Sequence, residues 1–171
     1  MHKFGLLGKM PVCSIKNLRS AGRSHLESAR HILDNFPAPP PPPPALILSS
    51  STYLAHLALE CAIKARLLHK QGVNSVDDLE KKHPKIHTAL FRGKKGHDIQ
   101  KLSTDVDLQG ILKNEGRPLQ KDACWTRIIS STRPYSLRYG TETLQRAEAS
   151  EEISRISGIL ELLLSGLIYK K

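Results

Sequence analysis

Glu60 and Lys64 stand four residues apart in Leu54-Ala-His-Leu-Ala-Leu-Glu-Cys-Ala-Ile-Lys-Ala65. That spacing puts a carboxylate and an ammonium one helical turn apart, on a face beside the apolar stripe. From there they can meet the start of another helix without deep burial. His97, Asp98 and Arg138, with Tyr139 next to it, are the groups expected to meet them. Such a cluster holds helices in register, or presents a cationic notch to a phosphate. Charged groups near a core more often satisfy one another, so register-holding is the first expectation and ligand binding the second. Other chemistries find little support. Cys13, Cys61 and Cys124 stand alone, and Cys61 falls on a face expected in the core. His56 and His69 are too far apart along a helix to share a metal, and no Gly-Lys-Ser/Thr loop, Gly-x-Gly-x-x-Gly or His-Glu-x-x-His is present. Neither a metal nor a cofactor is expected.

The charge balance points to an anionic partner. Lys and Arg number 26 against 16 Asp and Glu, and the stretch Lys64 to Lys101 alone holds ten bases against four acids. Lys81, Lys82, His83, Lys85, Arg92, Lys94 and Lys95 are expected in loops, forming a basic edge that follows a phosphate backbone without reading bases. A merely solvated surface is the competing expectation. Aromatic residues are only 5% of the chain, which argues against a base-stacking platform and leaves phosphate contact as the mode. Isolated cysteines, no signal-like N-terminus and no uninterrupted apolar run near ~20 residues point to a cytoplasmic protein that neither spans nor binds a membrane.

The elements that must position these groups read as helices. Ile15, Leu18, Gly22, His25 or Leu26, Ala29, Ile32 or Leu33, and Phe36 recur every three or four residues, predicting a helix over 15–36 that stops before Pro37. Pro39 to Pro44 exclude helix and favour a polyproline II connection, with recognition by an SH3- or WW-type domain a secondary possibility. Leu54, Leu57, Ala58, Cys61, Ala65 and Leu68 mark a second helix ended by Gly72. Residues 74–85 read as a loop or short helix. Shorter helices follow from His97, over 108–113 and over 119–131. Ile153, Ile156, Leu160, Leu163 and Leu167 form a final stripe that packs inside a bundle or serves as a dimer seam. No strand-like alternation competes. The expected fold is all-α, an irregular up-and-down helical bundle of four to five main helices with a polyproline interhelix connection. It occupies residues 15–171, after an extension at 1–14 and with a proline-rich loop at 37–44.

The Leu54 to Ala65 helix, the later Gly96-His-Asp-Ile-Gln-Lys-Leu102 and the Arg138-Tyr139 pair before a long final helix resemble, in that order, the HEPN domain, a nucleotide-binding helical family. The resemblance spans about Ile15 to Leu167, and the proline run lies outside its pattern. It implies a helical bundle, often a homodimer, found beside nucleotidyltransferase-like partners, in toxin–antitoxin modules and in RNA-cutting defence proteins. Many cutting members carry an Arg followed four to six residues later by His, as Arg92 and His97 are here. In such a pair His moves the 2′-hydroxyl proton while Arg steadies charge on the phosphate. Cutting members usually place a polar residue after that Arg, whereas Gly93 follows Arg92, and His97 belongs to the His-Asp-Ile element of the non-cutting branch. The leading expectation is therefore a non-catalytic partner or regulator that binds RNA or nucleotide phosphates. The alternatives are a metal-independent endoribonuclease using Arg92 and His97, and a protein-interaction module without a nucleic-acid role.

Overall fold

The computed structural model describes residues 13–35, 45–91, 97–116, 122–139, 144–165 and 167. These form an all-α bundle: α1 (Ile15–Asn35), α2 (Ala45–Lys70), α3 (Val76–Lys82), α4 (Pro84–Phe91), α5 (Ile99–Val106), α6 (Leu108–Asn114), α7 (Ala123–Ile129), α8 (Arg133–Tyr139) and α9 (Arg146–Ser165). The expected four to five main helices resolve, among the described residues, into three long helices and six of seven or eight residues. The cause is local. Asp98, Asp107 and Asp122 each accept a backbone N–H at the start of a helix, and so restart the chain over short intervals. Asp107 serves twice, closing α5 in a left-handed conformation (φ 60°) while capping α6.

Helix α2 is the axis of the molecule. It runs antiparallel to α1, since Ser51 donates to the Ala29 carbonyl at 2.6 Å and Gly22 lies against Ala58. A Cβ on Gly22 would sit 3.2 Å from the Ala58 carbonyl oxygen, a tight contact that the two helices relieve only by moving apart by a few tenths of an ångström. Helix α9 packs against both α1 and α2, with Arg30 of α1 donating to Ser157 and Arg146 donating to the Leu33 carbonyl at 2.7 Å. Its apolar stripe, Ile153, Ile156, Leu160 and Leu163, is buried within the single chain. That face is thus used up by the bundle and is not free to form a dimer seam. Burial of each such side chain contributes about 1.5–3 kcal/mol.

Helix α2 begins at Ala45, well before the periodic stretch from Leu54. Ser49, Ser51 and Thr52 occupy core-facing positions in its first turns and are fully buried. By length and composition α2 is apolar enough to cross a membrane. Its place between α1 and α9 accounts for that apolarity. The helix ends at Gly72, whose φ of +67° turns the chain while the Val73 N–H bonds the Leu68 carbonyl. Just beyond, the start of α1 is tied to the start of α3: Ser14 pairs with Ser75, with Ile15 N–H donating to Asn74 O and Val76 N–H to Cys13 O, both at 2.9 Å. Residues 74–85, expected as a loop or short helix, hold α3, which Ser75 caps by accepting the Asp78 N–H. The proline run lies outside the described residues.

Candidate functional site

Tyr53, Leu57 and Glu60 step by four and three along α2 and form one wall of an open cleft of about 510 Å³. His97 and Asp98, at the start of α5, form a second wall, and Ser131, Pro134, Tyr135, Arg138 and Tyr139 the third. The fold therefore gathers Glu60, His97, Asp98, Arg138 and Tyr139 around one space, with Lys64 bound to Glu60 behind it.

Glu60 organises the cleft. Its Oε1 accepts from Lys64 Nζ at 2.6 Å, and both its oxygens face His97 Nδ1 at 3.0 and 3.1 Å. Lys64 is buried, and its ammonium also lies 5.2 Å from the centre of the Phe91 ring. The His97 side chain is 71% exposed, against 14% for Glu60. A carboxylate at Nδ1 selects the tautomer with the proton there, leaving Nε2 of the neutral ring as an acceptor. Asp98 spends Oδ1 on the Lys101 N–H at 3.1 Å, which fixes where α5 begins and so where His97 sits.

Helix α8 supplies the cation and the rings. Tyr135 and Tyr139, one turn apart, have ring centroids 4.6 Å apart at 49°, and the Arg138 guanidinium lies 5.6 Å from the Tyr139 centroid. Both tyrosines are well exposed, at 65% and 58%. Arg138 makes no ion pair with any described residue, so the expected pairing with Glu60 is replaced by a cation–π contact. Low aromatic content argued against a stacking surface. Yet three of the chain's four tyrosines line this one cleft, because helical spacing concentrates them.

The remaining sequence candidates are placed elsewhere. Lys81 and Lys82 lie in the last turn of α3 and Lys85 in the first turn of α4, all exposed. They are helical, not in loops as expected, because the Ser75 cap and Pro84 start helices where only a polar connection was read. Arg92, Lys94 and Lys95 lie outside the described residues, and with them the geometry of the Arg92–His97 pair. Cys61 is only partly buried, at the edge of the core, with its thiol pushed up to about 11, first by burial and then by Glu60. Among the described residues no group of three side chains could hold a metal.

A second polar cluster escaped the sequence reading. Glu152 of α9 is fully buried and accepts from Arg133 at 2.6 Å and Arg127 Nε at 2.9 Å, with His56 Nε2 at 3.3 Å. Burial raises its carboxyl, but the His56 hydrogen bond and the Arg133 charge outweigh that and hold it below the ordinary value. The cluster ties α2, α7, α8 and α9 together beneath the cleft. Its readable signal was an acid at position 152, inside the apolar register of α9. No family model, curated protein or solved structure matches the chain.

Proposed function

We propose that the chain is a HEPN-like module that binds RNA or nucleotide phosphates in the cleft between α2, α5 and α8, as a non-catalytic partner or regulator in a toxin–antitoxin, defence or nucleotidyltransferase-associated system. The observation that carries this reading is Arg138, exposed and without an acidic partner among the described residues, between two exposed tyrosines. A guanidinium meets a phosphate in bidentate fashion, and the rings offer faces to a base. His97, once protonated, adds a second donor, and the exposed Lys81, Lys82 and Lys85 extend the positive field. A homodimer, if formed, uses a face other than the covered stripe of α9.

Titration with nucleoside 5′-monophosphates and a mixed RNA pool at two salt concentrations tests the reading. Affinity is expected to fall steeply with salt, and Arg138→Ala is expected to weaken it by roughly tenfold, as for loss of a charge-assisted hydrogen bond. Absence of salt-sensitive binding refutes it.

One contact favours the endoribonuclease alternative: Glu60 holds His97 Nδ1, the arrangement that makes Nε2 a general base. Chelator-treated protein that cuts RNA to 2′,3′-cyclic phosphate ends, with activity lost in Arg92→Ala and His97→Ala, would establish it.

A further inference from the structure

A second open cleft, of about 400 Å³, lies between the α5–α6 junction and α7, within the roughly 300–1,000 Å³ usual for ligand sites. One wall is apolar, made by Leu108, Trp125 and Ile129. The rest is polar, yet no Lys or Arg lines it, although the chain holds 26 of them. Its one charge is the Asp107 carboxylate, which repels phosphate and sets this cleft apart from the one that holds Arg138.

The hydrogen-bonding groups here are biased toward acceptors. Ser103, Thr104 and Thr126 each donate the hydroxyl proton to the carbonyl one turn back, that of Ile99, Gln100 and Asp122, at 2.6, 3.0 and 2.9 Å. What the exposed Thr104 and Thr126 offer a ligand is therefore a lone pair. Asp107 is exposed and makes no ion pair with another described residue. One of its oxygens accepts the Gly110 N–H at 3.2 Å, and the other is bound to no described donor. The Gln100 and Gln109 amides can turn either end inward and do not alter this balance.

Acceptors gathered around a single carboxylate suit a protonated amine, which has three N–H groups to donate and nothing to accept with. The apolar wall gives its carbon body a place. We propose that this cleft binds a small organic ammonium ion, a primary amine on an apolar body. The ammonium lies at Asp107 and the two threonine oxygens, and the body lies against Leu108, Trp125 and Ile129. The site goes beyond the nucleotide reading of the first cleft and does not depend on it.

Trp125 is the single tryptophan of the chain, so its fluorescence reports on this cleft. Phenethylamine and phenethyl alcohol, which share a body and differ in charge, are titrated into the full chain at neutral pH, with calorimetry in parallel. The amine is expected to shift the Trp125 emission and to bind about tenfold tighter than the alcohol or more, as a charge-assisted hydrogen bond supplies. Asp107→Asn keeps the fold, since asparagine caps a helix and adopts the left-handed conformation (φ 60°) as readily as aspartate. That variant is expected to bring the amine to within about twofold of the alcohol. Thr104→Val with Thr126→Val, which removes two acceptors and keeps their shape, is expected to weaken the amine about fivefold. Equal binding of amine and alcohol, a preference that survives in Asp107→Asn, or no binding of the amine overturns the proposal. Spermidine bound more tightly than phenethylamine, and dependent on Asp107, overturns the assignment of an apolar body. Nucleotide titration of Asp107→Asn separates the two sites: affinity that still depends on Arg138 leaves the proposed function standing whichever way the amine result falls.

Discussion

Replacing Glu152 with Ala is expected to be the most damaging single change among the polar residues. The carboxylate is fully buried and accepts from Arg133, itself 4% exposed, at 2.6 Å and from Arg127 at 2.9 Å, with His56 Nε2 at 3.3 Å. In Glu152→Ala the positive charge of Arg133 stays in the interior without that carboxylate. Breaking a buried pair from one side costs about 3–5 kcal/mol. Natural domains hold only about 5–15 kcal/mol in total, so the variant should lose about a fifth of its stability or more and melt some 6–20 °C lower. Urea unfolding followed by far-UV circular dichroism measures the loss. In the intact cluster the desolvation of both charges opposes their attraction. Glu152→Leu together with Arg133→Met and His56→Leu should return to within about 1–2 kcal/mol of the parent, while Arg127, 26% exposed, turns to solvent. A loss below about 1 kcal/mol in Glu152→Ala, or strict additivity of Glu152→Ala and Arg133→Met, would refute the reasoning.

The lowered carboxyls of Glu152 and Asp122 set the acid limb. Asp122 is held down by the Trp125 backbone N–H and by Arg155. A carboxyl lowered on folding contributes stability above its ordinary value, here 4.5 and 3.8, and loses it as the pH falls from there through the folded value. Stability should be level from neutrality until the pH nears 4.5 and then drop, and the drop should be shallower in Glu152→Gln; an unchanged profile in that variant would exclude the buried carboxyl as its source. The thiols of Cys61 and Cys124 are both pushed up to about 11, first by burial, so iodoacetamide at neutral pH should label the partly exposed Cys61 slowly and the buried Cys124 no faster than the protein opens, and rapid labelling of Cys124 would contradict its placement. Gly22→Val should cost about 1–3 kcal/mol in thermal or urea unfolding by forcing α1 away from the Ala58 carbonyl; a neutral result would mean that the two helices are not in close contact there.

Helices α1 and α9 could be read from apolar periodicity because each packs through one continuous face. The first turns of α2 could not, since Ser49, Ser51 and Thr52 fill core positions there, with Ser51 bonded to the Ala29 carbonyl of α1. Hydroxyls at those positions blur the hydrophobic signal although they are packed like alanines. The meeting of Glu60 with Lys64 and His97 was legible because two of the three share a helix turn and the third starts the next core helix. The Glu152 cluster was not, because its members lie on four helices and only the packing of α7 and α8 on α9 brings them together. Tyr135 was missed for a related reason: the short helix α8 turns it to the same side as Tyr139, which composition alone hides.

The paired main chains at Ser14 and Ser75 close the α1–α2 hairpin and α3 into a ring. The Ile15 and Val76 amides can then exchange with solvent only when that ring opens, and should do so together. Because α3 carries Lys81 and Lys82, a pull on the chain ahead of Cys13 reaches the basic edge through two hydrogen bonds, with no need to travel the length of the bundle. Mechanically, the segment from Cys13 to Ile15 and helix α3 are one part.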